Sequence, residues 1–423
     1  MNFDVYTPAA LKAEPQVQMV NGYKVEFLSF SSTAENQLTP VMFLGGAFQT
    51  FGSFRAELES IVSDRPVILV DLPSQGSNDQ LAPELNMADF ADLIAGFLDA
   101  QNIACTSIMG VSYGSAMATI FASTYPEKVE RLLISGITCF RRDSLIRLLE
   151  DSLVLLENGY MDAFATTAVS NLINHNRMDD TGISATYRRL LFRQVARLDD
   201  NERLRYAQNT RRLLRFEGFT SYPECETLIA TGEYDNFTLP QENAAVAKQC
   251  KQGRFAVIRN ADHLAQFEQK QSTVTVVKNF MTGQSIEGIE GVDVYDPQEF
   301  ANTEQRLQPR HRPMEQPYNL VDTSTGKTHL VRLRDINFSG CQIELINPDM
   351  TINEGASHLT LEIPETGHSF SLSVLKRDKK TIRCLIMQRE LKAADALIDY
   401  LENYFLIMRD NTGKKVLDHS KMA

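Results

Sequence analysis

Thr106-Ser107-Ile108-Met109-Gly110-Val111-Ser112-Tyr113-Gly114-Ser115-Ala116-Met117-Ala118 runs from an apolar, β-rich segment into a helix-forming run of small residues. Between the two lies Gly-x-Ser-x-Gly. A serine on a sharp strand-to-helix turn sits in strained backbone. Its hydroxyl stands at the end of a sheet and at the N-terminus of a helix. The flanking glycines remove side chains that would clash in the turn, and they let the helix pack close. Five residues alone are a weak signal. The strand before them and the helix after them make it specific, and Ser112 becomes a candidate nucleophile.

The same alternation continues on both sides. Val41–Leu44, Val67–Val70, Arg131–Ser135, Thr227–Ala230 and Ala256–Ile258 are short apolar runs, with helical patterns such as Met87–Ala100 between them. Apolar runs without period-2 alternation, separated by helices, predict a parallel sheet covered on both faces, an α/β domain. The strand rhythm stops at about 140–219, which reads as an inserted helical cap containing Ser144–Glu157 and Tyr187–Phe216. Residues 283–305 are acidic, polar and weakly periodic, and read as a linker after a first domain over 1–282. From 306 to 408, closely spaced strand candidates (Thr328–Leu333, Gly340–Leu345, His358–Ile363, Ser369–Lys376, Thr381–Met387) predict a small β-barrel, followed by one helix over Leu391–Met408. Residues 409–423 form a polar tail.

Composition bounds the function. The chain has 423 residues, enough for two or three domains of about 150 residues each. With 43% hydrophobic and 23% charged residues it is neither a disordered chain nor a collagen-like repeat. No apolar run approaches the ~20 residues of a membrane span. The first residues lack the order of a signal peptide. A net charge of −12 argues against a dominant role in binding nucleic acid polymers. The six cysteines form no CxxC pair and no zinc-type cluster, so no metal site is expected. Reduced thiols and a cytoplasmic location are the expectation. Oligomeric state is not legible.

A serine nucleophile needs a base, and the base needs an orienting acid. Of the histidines before the linker, His175 lies in the helical insertion. His263 lies just past the run Ala256–Ile258, at the same predicted sheet edge as Ser112. Asp235 follows the run Thr227–Ala230 and is the preferred acid, with Glu233 and Asp262 as competitors. A tetrahedral oxyanion needs two backbone N–H donors. Tyr113 would supply one. The loop Gly45-Gly46-Ala47-Phe48 would supply the other, Ala47 before Phe48.

These residues resemble the α/β-hydrolase superfamily over 1–282. Within it, Leu44-Gly45-Gly46-Ala47, Val70–Ser77 and Asp262-His263 through Phe267-Glu268 are similar to the acyl-transferring enzymes that make the lipid precursor of rhamnolipids. The resemblance implies a 3-hydroxyacyl substrate drawn from acyl carrier protein or coenzyme A, and no cofactor for catalysis. Nine arginines lie between Arg188 and Arg215, interleaved with leucines. They suggest a docking face for an acidic carrier protein or a coenzyme A phosphate. The alternative is a solvated face with ion pairs to Asp199, Asp200 and Glu202.

Arg306-Leu307-Gln308-Pro309-Arg310 is an RxxxR motif, and Asp335-Ile336-Asn337-Phe338-Ser339-Gly340 follows. Two guanidinium groups suit a planar ligand with phosphates, which they grip in a fork or stack upon. The pair of motifs resembles the PilZ domain, the β-barrel receptor for cyclic di-GMP. The resemblance assigns Arg306, Arg310, Asp335, Asn337 and Gly340 to the nucleotide, with Asn337 where the family usually has Ser. The expected function is a serine-dependent acyl hydrolase or acyltransferase regulated by cyclic di-GMP. The rival reading is a catalytically weak hydrolase-like scaffold that acts as a cyclic di-GMP effector in motility or surface behaviour.

Overall fold

Val41–Leu44 (β4) and Thr106–Val111 (β6) lie side by side in parallel at the centre of a ten-stranded sheet. The computed structural model describes residues 1–33, 38–137, 142–303, 308–347, 352 and 356–402, with the backbone of 406–409 and 415–417. Arg306 and Cys139 lie outside the described residues. The sheet begins at Asp4–Val5 (β1), Gln16–Val20 (β2) and Tyr23–Ser31 (β3). It continues through β4, Val67–Asp71 (β5), β6, Val129–Ser135 (β7), Glu226–Gly232 (β8) and Gln252–Ile258 (β9). The strands β5, β4, β6, β7, β8 and β9 are adjacent in that order and parallel. Chain order reverses around β4, because β5 lies on one side of it and β6 on the other. Such a switch point opens a crevice at the carboxyl ends of the strands.

The central strands are buried along their whole length, which is why they read as apolar runs rather than alternating ones. Their side chains divide between two cores. Met42, Leu44 and Ile108 face one core, with Phe90, Phe97 and Phe121 from Met87–Ala100 (α2) and Tyr113–Thr124 (α3). Phe43 and Met109 face the other, with Leu58 from Arg55–Ile61 (α1) and Val277 and Phe280 from a later helix, Lys270–Met281.

The chain forms two compact units. Met1–Arg141, Asp179–Ile183 and Leu198–Gln305 make the first; Arg142–Met178, Ser184–Arg197 and Arg306–Ala423 make the second. The stretch that reads as a single cap is therefore divided. Its helices are Asp143–Glu157 (α4), Met161–Leu172 (α5), the one-turn Met178–Thr181 (α6), Ala185–Ala196 (α7) and Asp200–Arg215 (α8). The continuous pattern over Tyr187–Phe216 breaks between α7 and α8. There the Asp199 carboxylate accepts from the Glu202 N–H, and the Glu202 carboxylate accepts from the Asp199 N–H, a reciprocal cap that starts a new helix.

The remaining elements of the first unit are Pro240–Gln249 (α9), Ala265–Glu268 (α10), Lys270–Met281 (α11), Val292–Tyr295 (β10) and Pro297–Phe300 (α12). The last two fall in the stretch read as a linker. β10 pairs antiparallel with β9, Ile286 and Val292 are buried, and Asp296 caps α12. Only alternate residues of a short edge strand need be apolar, so its sequence looks polar.

The second unit contains a closed barrel, with a short strand Arg310–His311 (β11) beside it. Pro317–Asp322 (β12), Lys327–Ile336 (β13), Gly340–Leu345 (β14), Leu359–Ile363 (β15), His368–Arg377 (β16) and Thr381–Met387 (β17) pair antiparallel throughout. The barrel closes because β12 pairs with both β13 and β15. Inward residues alternate, as Cys341, Ile343 and Leu345 do on β14. β12 is missing from the sequence reading because Pro317, Asn319 and Asp322 look like turn residues; Tyr318 and Leu320 are the inward pair. Leu391–Glu402 (α13) is shorter than expected. Leu406–Arg409 (β18) and Lys415–Leu417 (β19) follow it, and β18 pairs with β11.

α4, α5 and α7 belong to this barrel unit by specific contacts. Arg389 holds the Asp151 carboxylate through two N–H···O bonds of 2.5 Å each. Thr167 Oγ1 donates to the Gln388 carbonyl at 2.7 Å. Arg188 pairs with Asp395 of α13 at 2.6 Å. The ring of His175 stacks on Phe338 with centroids 4.8 Å apart and planes 17° apart. Among the described residues no helix is long and apolar enough to cross a membrane.

Candidate active site

Ser112 has φ 47° and ψ −114°, strained backbone at the junction of β6 and α3. The glycines around it are required by space. A Cβ on Gly110 would lie 2.7 Å from the Gly114 carbonyl oxygen, and one on Gly114 would lie 2.5 Å from the carbonyl oxygen of Leu44. The Ser112 N–H donates to the Ser135 carbonyl of β7 at 2.8 Å, and the turn is closed by the Ser115 N–H, which donates to the Ser112 carbonyl at 2.9 Å. The Ser115 hydroxyl donates to the Ser112 carbonyl.

The loops after β8 and β9 bring the other two residues to the same edge. His263 Nε2 lies 3.1 Å from Ser112 Oγ, and His263 Nδ1 lies 2.9 Å from Asp235 Oδ2. The side chains of His263 and Asp235 are 3% and 1% exposed, so the pair is shielded from water. Asp235 Oδ1 accepts from the N–H groups of Phe237 (2.9 Å) and Thr238 (2.8 Å), and Oδ2 also accepts from Thr238 Oγ1 (2.7 Å). These donors fix the orientation of the carboxylate. The Asp235–His263 bond places the imidazole proton on Nδ1 and leaves Nε2 free to take one from Ser112.

The rival acids do other work. Asp262 Oδ1 accepts from the backbone N–H of His263 at 2.7 Å, and Glu268 Oε2 accepts from the Asp262 N–H. Together they shape the histidine loop. Burial pushes the Glu268 carboxyl up to about 7, helped by the nearby Asp235 charge and opposed by the Asp262 N–H and by His263. Glu233 Oε2 accepts from the Asn260 N–H. Gly136, at φ 63°, is a further necessity: a Cβ there would meet His263 Cε1 at 2.9 Å.

Tyr113 opens α3, so its N–H is among the donors that a helix start leaves without an intrahelical partner. The loop after β4 approaches from the other side. A Cβ on Gly46 would lie 3.1 Å from Ser112 Cβ. The next residue is Ala47.

α8 contradicts the docking role assigned to some of its arginines. Arg212 is 1% exposed, while Leu204 is 52% exposed. Arg212 Nε and Nη2 donate to the carbonyls of Leu85 and Ala82, each at 2.7 Å. Nη1 donates to Asn209 Oδ1 (2.8 Å) and Tyr113 Oη (2.9 Å). Its guanidinium also lies 4.6 Å from the Phe90 ring centroid. Arg205 donates to the Gly76 carbonyl at 2.8 Å. Arg203 makes the expected ion pair with Asp200. Arg205, Gln208, Asn209 and Arg212 recur at i, i+3, i+4 and i+7, the spacing of one helix face. That periodicity was the available signal that this polar face is the inner one.

On the barrel, Arg310 forms an ion pair with Asp335, whose side chain is buried. The two motifs also meet where Ser339 Oγ donates to Gln308 Oε1 at 2.9 Å. Asn337 Oδ1 accepts from the N–H groups of Ser339 (3.1 Å) and Gly340 (2.8 Å) and closes the turn. A Cβ on Gly340 would lie 2.7 Å from the Cys384 carbonyl oxygen.

A serine, histidine and aspartate in line on the loops of a doubly wound parallel sheet define a class, and the chain belongs to the alpha/beta hydrolase fold family, whose model matches residues 39–270. Among its relatives is the (R)-3-hydroxydecanoyl-ACP:CoA transacylase of Pseudomonas aeruginosa, 22% identical over 68% of this chain and 96% of that protein. Another is the (E)-2-((N-methylformamido)methylene)succinate hydrolase of Acinetobacter baylyi, 23% identical over 53% of this chain and 83% of that one. The fold is shared with the enol-lactonase from Burkholderia xenovorans at 15% identity and a TM-score of 0.55, covering 63% of this chain and all of that one. The family thus includes both acyl-transferring and hydrolytic enzymes.

Proposed function

We propose that the chain is a serine-dependent acyl hydrolase or acyltransferase. Its substrate would be an ester or thioester, of the 3-hydroxyacyl type carried on coenzyme A or an acyl carrier protein. The observation that supports this reading is the line of hydrogen bonds from Asp235 through His263 to Ser112. Ser112 Oγ attacks the acyl carbon as its proton passes to His263 Nε2. The carbonyl π electrons move to oxygen, which accepts from the backbone N–H groups of Tyr113 and Ala47. Collapse expels the alkoxide or thiolate, which takes the proton from His263 and leaves an acyl ester on Ser112. Water, an alcohol or a thiol then repeats the sequence in reverse, with His263 again taking and returning a proton. The substrate class rests on the short sequence resemblances and on the relative that acts on a 3-hydroxydecanoyl group.

The barrel would bind cyclic di-GMP through Arg306, Arg310, Asp335, Asn337 and Gly340. Arg310 and Asp335 are already adjacent, and Asn337 closes the turn with its Oδ1, which brings the motif residues together. Two measurements test the two halves. Fluorophosphonate treatment should label Ser112, and Ser112→Ala should abolish turnover of 3-hydroxydecanoyl thioesters. An unlabelled protein, or an active Ser112→Ala variant, refutes the catalytic half. Calorimetry should show cyclic di-GMP binding that Arg310→Ala removes. No heat at high micromolar ligand refutes the sensor half.

A further inference from the structure

We infer that α8 is the positioning element of the oxyanion hole, with Tyr206 and Arg212 holding the two residues that supply its donors. The inference rests on the assignment of Ala47 and Tyr113 proposed above, and adds what fixes them. Backbone N–H groups stabilise an oxyanion only if they are aimed before charge develops, so something must hold their peptide planes.

The loop after β4 is short of regular structure, and its planes are pinned one by one. The Gly46 N–H donates to Gln49 Oε1 at 2.7 Å. The Gly46 carbonyl accepts from the Gln49 N–H at 3.2 Å. In a trans peptide the C=O and the following N–H point in opposite directions. Fixing the Gly46 carbonyl therefore fixes the direction of the Ala47 N–H. The next plane has no partner within the loop's own backbone. Its carbonyl, that of Ala47, accepts from Tyr206 Oη at 2.6 Å, and the Tyr206 ring packs on Phe48 with centroids 4.3 Å apart. Tyr206 thus holds Ala47 from its carbonyl side, in the plane shared with the Phe48 N–H, while the Gly46–Gln49 bond holds it from its N–H side.

Six residues further along the helix, Arg212 Nη1 donates to Tyr113 Oη at 2.9 Å. The Tyr113 side chain is fully buried, so its hydroxyl needs this partner, and the bond ties the first residue of α3 to α8. α8 is itself immobilised between these two points. Gln208 Oε1 accepts from the Ala82 N–H at 2.9 Å and from Ser74 Oγ, and Asn209 Nδ2 donates to the Ser74 carbonyl at 2.8 Å. One helix therefore fastens both sides of the predicted hole, and its polar inner face exists to reach backbone carbonyls that an apolar face could not satisfy.

The test uses Tyr206→Phe and Tyr113→Phe in the full-length protein. Each keeps its ring and loses one hydroxyl. A short p-nitrophenyl acyl ester reports turnover, and an acyl trifluoromethyl ketone reports affinity for the tetrahedral state. Each variant should lose about tenfold to hundredfold in kcat with KM little changed, and should lose ketone affinity in parallel. The thermal midpoint should stay close to wild type. Wild-type kcat and ketone affinity in both variants, with Ser112→Ala inactive, would overturn the positioning role and leave the nucleophile assignment standing. A raised KM at unchanged kcat would also overturn it, since that marks a general structural loss. An active Ser112→Ala would instead remove the reading on which the inference rests.

Discussion

Asp235 divides its two carboxylate oxygens between different jobs, and the division decides what an amide would do there. Oδ1 accepts two backbone N–H groups, while Oδ2 faces His263 Nδ1 and the Thr238 hydroxyl. In Asp235→Asn the amide oxygen must stay on the two backbone donors, which cannot accept. The amide N–H then points at His263 Nδ1 and converts it to an acceptor. The imidazole proton moves to Nε2, where it can no longer receive the Ser112 proton. The expected result is a fall in kcat of about four orders of magnitude with little change in KM, read by steady-state kinetics. A loss below tenfold would show that His263 does not act as the base. Ser112, Asp235 and His263 were legible in the sequence because each follows an apolar run that ends at the same edge. Thr238 and Glu268 were not, because a second hydrogen-bonding layer has no spacing rule.

At the scale of elements, α1 carries a buried acid with a cost. Glu57 is almost fully buried, and burial pushes its carboxyl up to about 7, opposed only by its own backbone N–H and the charge of Lys270. Its usual value, 4.5, applies to the unfolded chain. Between 4.5 and about 7 the folded state therefore holds more of this proton than the unfolded state. Stability from this group is complete below 4.5, declines as pH rises to about 7, and is flat above. Glu57→Gln removes that decline. Its unfolding midpoint should rise above wild type at pH 8 and converge with it at pH 4.5, with an upper bound of about 3 kcal/mol at the alkaline end. A denaturant titration at both pH values checks it, and an equal shift at each would disprove the linkage. Elements were most legible where burial was complete, as in β4, β5 and β6. They were least legible where one face carries polar work. α8 reads as an arginine-rich face turned to a partner or to solvent, yet Arg205, Gln208, Asn209 and Arg212 make their contacts on the inner side. β10 and β12 look like linker and turn because an edge strand or a barrel strand needs only alternate apolar positions.

For the whole molecule, the proposed nucleotide site and the proposed chemistry need a physical link if one is to regulate the other. The chain passes between its two units at several points, and one of them lies between α7 and α8. Within the barrel unit, the motif turn that carries Asp335 and Asn337 also carries Phe338. Phe338 stacks on His175, and its carbonyl accepts from Gln388 Nε2 at 2.9 Å. Gln388 and Arg389 in turn hold Thr167 and Asp151 of α5 and α4. His175 Nδ1 donates to the Ile173 carbonyl at 2.9 Å, and burial, followed by the Arg188 charge, pushes the imidazole down to about 4. The ring is therefore neutral at physiological pH and meets Phe338 as an uncharged stacked ring. Among the described residues, no hydrogen-bond partner reaches the buried Ser170 Oγ, His175 Nε2 and Gln388 Oε1. Such unpaired groups add a cost to the packing that holds them. Regulation requires that the ligand bind two arrangements with different affinity. In the proposed enzyme, His175→Ala should leave calorimetric binding of cyclic di-GMP intact while the ligand's effect on acyl turnover, in the usual range of about 5- to 150-fold, shrinks toward unity. Arg310→Ala should lose binding and effect together. A His175→Ala variant that binds the nucleotide and still responds in full would show that the signal leaves the barrel by another route.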